Sequence, residues 1–371
     1  MRYYLIAGER SGDLHGSNLI KAIKRKDDQA QFRCWGGEYM EKAGAELVVH
    51  YRNLAFMGFI EVALYFNKIL RFIRLCKKDI LNYKPDVVIL IDFGGFNLRV
   101  ARFLKKREIK VYYYISPKVW AWNTGRAKTI KAAVDRMFVI LPFEKDFYKT
   151  FGYEVDYVGN PVVDAIRNHQ PDPSFLEKTG IKTEDRYIAL LPGSRNQELK
   201  SILPRMVKLA DSFPNQKFVL AAISSVPEHL YLPCREVNNI KIVFDRTNDI
   251  LAFAFAGVIT SGTATLETAL WEVPQVVVYR STSKISFFIA RMVVKIKFIS
   301  LVNLIVGREV VKELIQEDFT QEKLSSEVNK LIFDNAVRNR ILEEYKELKN
   351  ILGHDPVSDR AADLMVHYLK T

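Results

Sequence analysis

Short apolar segments alternate with amphipathic, helix-like segments along the whole chain. The apolar segments are rich in Val, Ile, Leu and Tyr, as buried parallel strands are. In the first half they cover residues 3–7, 31–35, 87–91, 111–115, 136–140 and 154–158. In the second half they cover residues 187–191, 217–223, 240–244, 257–260 and 275–279. The alternation predicts an α/β protein in which helices cover both faces of parallel sheets.

The pattern is interrupted once, near the middle of the chain, by Pro161, Pro171 and Pro173 among polar residues. A chain of 371 residues is also too long for one ordinary hydrophobic core. We therefore predict two Rossmann-like domains, at residues 1–165 and 187–345, joined by a linker at 166–186. Residues 346–371 form a separate, charged C-terminal helix.

The net charge and the cysteine content limit the kinds of partner and the cellular compartment that we expect for this protein. The net charge of +12 and pI near 9.4 predict an anionic partner: nucleic acid, a phosphorylated metabolite or an acidic membrane. Basic residues cluster with aliphatics instead of interleaving with aromatics along a groove, which argues against nucleic acid. The three cysteines form no CxxC pair, the N-terminus lacks a signal-peptide pattern, and no apolar run reaches the ~20 residues that span a bilayer. A cytoplasmic protein is expected.

Loops that follow parallel strands at their carboxyl ends are where ligands bind in such sheets. In the second domain, residues 190–198 form a Pro-Gly turn into a helix, with Gly193, Ser194 and Arg195 at its start. Free N–H groups and a nearby guanidinium suit a phosphate, although the same turn also fits an Arg that faces water. Residues 260–267 offer Ser261, Gly262 and Thr263 at another helix start, and Glu267 follows one turn later.

A simple capping arrangement explains Ser261–Glu267 as well as a phosphate does. Neither loop is a P-loop, because no GxxxxGK[ST] sequence occurs. Together the two loops favour a nucleotide diphosphate, with the phosphate at 261–263 and a ribose on Glu267.

The first domain offers acidic candidates. Glu9 and His15 flank a loop whose glycines are four apart, which is not the dinucleotide fingerprint. Asp92 follows the most apolar strand and precedes Gly94 and Gly95, so it is placed either to face a ligand or to cap the next helix. Trp120 and Trp122, after another strand, either line an acyl or sugar surface or pack between elements.

Residues 54–78 combine large apolar side chains with regularly spaced cations, and residues 285–299 show the same pattern of apolar and basic residues. A basic amphipathic helix of this kind lies in the interface of an anionic leaflet. The alternative is a helix that covers the sheet and exposes its basic face. The residues assigned to membrane or acyl contact are Met57, Phe59, Ile60, Phe66, Ile69, Lys68, Arg71 and Arg74.

The chain resembles the lipid-A-disaccharide synthases, inverting glycosyltransferases of the GT-B type. The resemblance spans nearly the whole chain and rests on ordered motifs: AGERSGD at 7–13, MGFIEV at 57–62, KPDV at 84–87, SPKVWAW at 116–122, LPFEK at 141–145, LLPGSR at 190–195, SGTA at 261–264 and NL with GRE at 303–309. It implies two Rossmann-like domains whose parallel sheets face a central cleft, and a last helix that packs back on the first domain.

The resemblance also implies the reaction. UDP-2,3-diacylglucosamine and 2,3-diacylglucosamine 1-phosphate give the β(1→6) tetraacyl disaccharide 1-phosphate and UDP, without cofactor or metal. The UDP-side candidates are Arg195, Gly193, Ser194, Ser261, Gly262, Thr263, Glu267 and Asn303. The family's important acidic positions match Glu9 and Asp92, and we expect Asp92 to be the catalytic base, with Glu9 or His15 as the alternative. Two positions depart from the family: Val302 replaces a frequent proline before Asn303, and Gly95 stands where some members carry a second acid.

Acylated substrates imply peripheral association with anionic lipids on the cytoplasmic surface of the inner membrane. A homodimer is compatible with the sequence, and nucleic acid is not an expected partner. The alternative function is another GT-B transferase or an epimerase that uses UDP-N-acetylglucosamine. Activity on non-acylated sugars would favour that alternative.

Overall fold

The computed structural model describes residues 1–54, 66–182, 185–281 and 297–371. These residues form two compact units, one of Met1–Pro161 with Asp355–Thr371 and the other of Val162–His354. The second unit thus begins earlier than the predicted domain. The predicted linker contains the helix Phe175–Thr179 and the end of the helix Pro161–Asn168.

The first unit is built on a seven-stranded sheet in the order β3-β2-β1-β4-β5-β6-β7, in which all neighbours pair in parallel. The strands are β1 (Arg2–Ala7), β2 (Gln31–Gly36), β3 (Glu46–His50), β4 (Val87–Ile91), β5 (Lys110–Tyr114), β6 (Arg136–Val139) and β7 (Asp156–Tyr157). Every residue of β4 is buried, because helices cover both faces of this central strand.

The described helices of this unit are α1 (Arg10–Lys24), α2 (Glu38–Lys42), α3 (Phe66–Tyr83), α4 (Gly94–Lys105), α5 (Val119–Trp122), α6 (Arg126–Ala133) and α7 (Glu144–Lys149). The last helix of the chain (Val357–Lys370) also belongs here. Its buried residues Val357, Ala361 and Met365 share a core with Leu19 and Ile23 of α1.

The second unit has a six-stranded parallel sheet in the order β10-β9-β8-β11-β12-β13. Its strands are β8 (Tyr187–Leu191), β9 (Lys217–Ala222), β10 (Ile240–Phe244), β11 (Ala256–Thr260), β12 (Gln275–Tyr279) and β13 (Lys312–Ile315). The helices Pro161–Asn168 and Phe175–Thr179 are α8 and α9. The further described helices of this unit are α10 (Asn196–Ser212), α11 (Leu232–Arg235), α12 (Thr247–Phe253), α13 (Thr263–Leu270), α14 (Leu301–Val306), α15 (Gln321–Phe333) and α16 (Asn335–Leu352). The last helix of the chain, α17 (Val357–Lys370), lies in the first unit.

All the strands predicted from the sequence are present, within two residues at each end. The structure adds β3 and β13, which the apolar pattern did not predict. Both lie at the outer edge of a sheet, where a strand is covered less completely and its sequence is more polar. Within the four described ranges, no helix is long and apolar enough to cross a bilayer.

Candidate active site

The carboxyl ends of β1, β4 and β5 bring the acidic candidates of the first unit together. Ala7 pairs with Ile91, and Ile91 pairs with Tyr114, so the residues that follow these three strands lie side by side. Asp92 immediately follows β4, and its backbone N–H donates to the carbonyl of Tyr114 at 3.2 Å. Glu9 follows β1 on one side, and residues 115–118 follow β5 on the other.

The turn at Asp92 is held in an unusual backbone conformation. Asp92 and Phe93 have φ values of 44° and 52°, and Ile115 on the neighbouring strand end has a φ of 66°. A left-handed conformation is costly for a residue with a side chain, and most of all for a β-branched one. The Asp92 carbonyl accepts from Asn97 Nδ2 at 2.8 Å and from the Tyr113 hydroxyl at 2.5 Å, which fixes the turn.

Asp92 is exposed at the carboxyl end of β4, and its carboxyl group is close enough to Glu9 and Lys118 for their charges to act on it. It does not cap the next helix, because Phe93 holds the N-cap position of α4 and no side chain caps that helix. Surrounding protein atoms and the negative charge of Glu9 raise the pKa of Asp92, while the Lys118 ammonium opposes this shift. A carboxyl group of raised pKa is a better general base than an ordinary aspartate.

The other two catalytic candidates differ in their surroundings. Glu9 is exposed and lies at the start of α1 without capping it. His15 is half-buried, and burial lowers its pKa to about 4, so its ring is neutral near pH 7 but is a weak base. The neighbouring Asp13 is fully buried and accepts from the backbone N–H groups of Gly37, Tyr39 and Met40, which makes it a structural cap of α2.

In the second unit, the Glu198 carboxylate binds the backbone of the turn between β8 and α10. Glu198 accepts from the backbone N–H groups of Ser194 at 3.1 Å and Arg195 at 3.3 Å, and from the Arg195 guanidinium at 3.4 Å. Gly193, with φ of 101°, gives Glu198 the space to do so. The Arg195 side chain is 82% exposed. An anion at this turn would therefore meet the exposed guanidinium, with these two N–H groups already engaged.

The turn between β11 and α13 is open. Its backbone is anchored by Ser261, whose N–H donates to Val278 O and whose hydroxyl donates to Ile299 O, each at 2.9 Å. Gly262 and Thr263 are exposed, no side chain caps α13, and no heavy atom lies within 4 Å of the position of a Cβ on Gly262. The predicted capping arrangement is therefore absent here, and the helix start presents the N–H groups that a phosphate requires.

Glu267 lies one turn further along α13. Its side chain is half-buried, and burial raises its pKa. Among the residues that the structure describes, its carboxylate has no hydrogen-bond or ion-pair partner. A half-buried carboxylate of this kind is suited to accept hydrogen bonds from ligand hydroxyl groups.

The Asn303 side chain is engaged in hydrogen bonds within its own unit. It is fully buried, its Nδ2 donates to Val311 O and Glu313 Oε1, and its Oδ1 accepts from the N–H groups of Val310 and Val311. All four hydrogen-bonding positions of the amide are occupied within the protein. Asn303 thus ties α14 to β13, and its assignment to UDP contact stays a prediction.

The predicted membrane segment is only partly described. In α3, Ile69 and Ile73 are buried in the core of the first unit, so the assignment of Ile69 to lipid contact is wrong. Arg71 and Arg74 are exposed, together with Leu75 and Lys78. Met57, Phe59, Ile60, the side chains of Phe66 and Lys68, and residues 285–296 of the second basic stretch lie outside the described residues.

Trp120 is buried and packs edge-on against Phe143, so it packs between elements and does not line an acyl or sugar surface. The Trp122 side chain is outside the described residues. Within the described ranges, no group of three or more His, Cys, Asp and Glu side chains is arranged to hold a metal ion.

Comparison with solved structures defines the class of fold. A UDP-GlcNAc 2-epimerase from Neisseria meningitidis bound to UDP-GlcNAc is similar with a TM-score of 0.67 and 13% identity, over 100% of both chains. The S. aureus MnaA–UDP co-structure gives a TM-score of 0.70 at 13% identity, covering 100% of this chain and 97% of the other. The glycotransferase of kitacinnamycin gives 0.66 at 15% identity, over 99% and 98%. The two Rossmann-like units therefore have the fold of GT-B glycosyltransferases and UDP-GlcNAc epimerases.

Sequence comparison is more specific. The family model described as lipid-A-disaccharide synthetase matches residues 3–367. The lipid-A-disaccharide synthases of Myxococcus xanthus and Syntrophus aciditrophicus are 36% and 37% identical to this chain, each over 99% of it and 97% of the relative. The chain belongs to the lipid-A-disaccharide synthase family, whose members are glycosyltransferases of lipid A biosynthesis.

Proposed function

We propose that this enzyme transfers 2,3-diacylglucosamine from UDP to the 6-hydroxyl of 2,3-diacylglucosamine 1-phosphate, with Asp92 as the general base. The observation that carries the base assignment is the Asp92 turn, a strained turn at a strand end with a carboxyl group of raised pKa. Strained backbone that is fixed by several hydrogen bonds is typical of functional sites.

In the proposed reaction, Asp92 takes the proton of the acceptor 6-hydroxyl as its oxygen attacks C1 of the donor sugar. The bond from C1 to the diphosphate oxygen breaks on the opposite face, and the electron pair leaves with UDP. The product is the β(1→6) disaccharide 1-phosphate. Glu9 remains the alternative base, whereas the lowered pKa of His15 makes it a weaker candidate.

The departing UDP gains negative charge, which the second unit is suited to stabilise. The uncapped start of α13 at Gly262 and Thr263 offers N–H groups and the positive end of a helix dipole. The exposed Arg195 guanidinium supplies a cation, and Glu267 is suited to the ribose hydroxyls. These groups provide the positive charge without a metal ion.

Acylated substrates require access from a lipid surface. We propose that the exposed cations of α3, with Leu75 between them, contact anionic lipids at the cytoplasmic face of the inner membrane. Sedimentation with anionic vesicles tests this. Arg71→Gln with Arg74→Gln should reduce the bound fraction, whereas Arg340→Gln with Lys370→Gln, which removes equal charge elsewhere, should not. Equal binding of both variants and the wild type would contradict the proposal.

The reaction itself is tested by incubating the purified protein with UDP-2,3-diacylglucosamine and 2,3-diacylglucosamine 1-phosphate in the presence of EDTA. Tetraacyl disaccharide 1-phosphate and UDP should appear in equal amounts. A parallel incubation with UDP-N-acetylglucosamine tests the alternative function, another transferase or an epimerase that uses this sugar. Only the similarity of fold supports that alternative. Turnover of the non-acylated sugar without turnover of the acylated pair would overturn the proposal.

A further inference from the structure

A buried carboxyl group joins two of the sequence motifs that the proposed reaction does not use. Glu144 begins α7 and is 1% exposed. Its Oε2 accepts from the backbone N–H groups of Ile140 at 3.3 Å and Leu141 at 3.0 Å. Its Oε1 accepts from the indole N–H of Trp120 at 3.2 Å. One carboxyl group thus connects the LPFEK and SPKVWAW segments.

The segment that Trp120 ends is the one beside Asp92. It starts at Ile115, whose φ of 66° is strained, and the Ser116 hydroxyl lies 2.7 Å from the Tyr148 hydroxyl. Pro117 packs against the first residue of α4, since a Cβ on Gly94 would lie 2.9 Å from Pro117 Cβ. Lys118 comes next, between Pro117 and the short helix that carries Trp120.

We propose that Glu144 is a positioning residue for glycosyl transfer: through Trp120 it holds residues 115–120 so that the Lys118 ammonium stands near the Asp92 carboxylate. This inference rests on the proposed function, since it concerns the surroundings of the proposed base. Glu144 itself lies beneath the site and touches no reacting group.

The two oxygens of the Glu144 carboxyl group have different partners, and this difference separates a positioning role from a purely structural one. The bonds to Ile140 and Leu141 complete the turn into α7 and would serve any protein with this fold. The bond to Trp120 reaches a segment 24 residues away in the chain. A buried carboxyl group costs more to keep than an amide, and burial raises the pKa of Glu144 to about 7.

The charged groups that act on Asp92 come from both neighbouring strand ends. Glu9 raises the pKa of Asp92 and Lys118 lowers it. Displacing the ammonium therefore leaves the carboxylate less stabilised, and the pKa of Asp92 rises. The acid limb of a pH profile of kcat/KM should report this shift, which an effect on folding alone would not produce.

The experiment compares kcat/KM from pH 4 to pH 8 for the wild type and for Trp120→Phe, which removes the indole N–H that donates to Glu144 Oε1. Lys118→Gln and the double variant complete a cycle, and Trp120→Leu, which also lacks the indole N–H, serves as a second variant if Trp120→Phe does not fold. Trp120→Phe should move the acid limb to higher pH, because the Lys118 ammonium that lowers the pKa of Asp92 is no longer held near it. In the double variant the limb should lie no higher than in Lys118→Gln.

Tyr153→Phe is the matched control, because it deletes a hydroxyl that bonds to Val134 O in the same core, away from residues 115–120. Its profile should coincide with that of the wild type. An unshifted limb in the folded Trp120 variant, or shifts that add in the double variant, would overturn the positioning role. Asp92→Asn separates the two proposals: an acid limb that persists there contradicts the base assignment, whatever the Trp120 variants do.

Discussion

The ring of Phe93 lies directly over Gly8, so closely that a Cβ on residue 8 would be 2.3 Å from Phe93 Cγ. Phe93 is the second residue of the strained turn, and it follows Asp92. The Gly8→Ala variant must therefore displace the ring and, with it, the turn. We expect kcat to fall by about 10-fold or more, because small displacements of reacting groups are costly. UDP affinity, measured by calorimetry, should not change.

Gly95→Ala is the control for Gly8→Ala. Gly95 lies in the first turn of α4, near the same strand end, and no atom lies within 4 Å of the position of its Cβ. Alanine also favours a helix more than glycine does. This variant should keep nearly full turnover. Equal losses in the two variants would show that the Gly8–Phe93 contact has no special role.

The open turn before α13 predicts a variant that folds but binds UDP poorly. Gly262 has an extended backbone that any residue adopts, and there is free space beside it. Gly262→Ala should leave Tm unchanged but place a methyl group where the phosphate approaches. Loss of a charge-assisted hydrogen bond corresponds to roughly 10- to 100-fold in Kd. Gly125→Ala, also unhindered, should match the wild type, and wild-type UDP affinity in Gly262→Ala would exclude a phosphate from this turn.

Asn303 should behave in the opposite way. Asn303→Ala leaves the buried N–H groups of Val310 and Val311 without their acceptor and removes one of the donors to Glu313. We expect a loss of about 3 kcal/mol or more in unfolding free energy, seen as a clear fall in Tm. UDP affinity well below Tm should stay near that of the wild type. A variant of normal Tm with weakened UDP binding would support Asn303 as a ligand-binding residue.

Glu144 gives the stability of the fold a pH dependence of known sign. Burial raises its pKa in the folded protein to about 7 from an ordinary value of 4.5, so the folded state binds the extra proton between these values. Its contribution to stability is therefore greatest below pH 4.5 and is lost as pH rises through 7.

The difference in unfolding free energy between the wild type and Glu144→Gln should accordingly fall by about 3 kcal/mol from pH 4.5 to pH 8. Denaturant titrations at several pH values measure it. Glu236→Gln, at an exposed glutamate, should show no such trend. A difference that stayed constant with pH would mean that folding leaves the pKa of Glu144 at its ordinary value, and one that grew with pH would mean that folding lowers it.

The strands and the division into two Rossmann-like units followed from the sequence because buried parallel strands are nearly continuous runs of branched residues, as in Val87–Ile91. The edge strands Glu46–His50 and Lys312–Ile315 lack such runs and were missed. The helix Phe175–Thr179 and the end of the helix Pro161–Asn168 were also missed, since the prolines in this part of the chain suggested an irregular linker.

Site residues were harder to assign, because their roles depend on partners distant in the chain. The sequence places Asp92 at a strand end, but neither its left-handed backbone nor the charges of Glu9 and Lys118 can be read from it. Asn303 was assigned from a motif, whereas its four hydrogen bonds are to its own unit. The hydrogen bond between Trp120 and Glu144 cannot be predicted from their spacing in the sequence, although both residues lie in motifs shared with the family, SPKVWAW and LPFEK.

The central claim is that Asp92 takes the proton of the acceptor hydroxyl. The most direct test is the turnover of Asp92→Asn beside Glu9→Gln, with UDP affinity and Tm as controls for folding. We predict that Asp92→Asn loses about 10²-fold or more in kcat and has no acid limb in its pH profile. Glu9→Gln should stay active, with its acid limb at lower pH, because removing the Glu9 charge lowers the pKa of Asp92. Near-wild-type turnover of Asp92→Asn, with collapse of Glu9→Gln, would contradict the account.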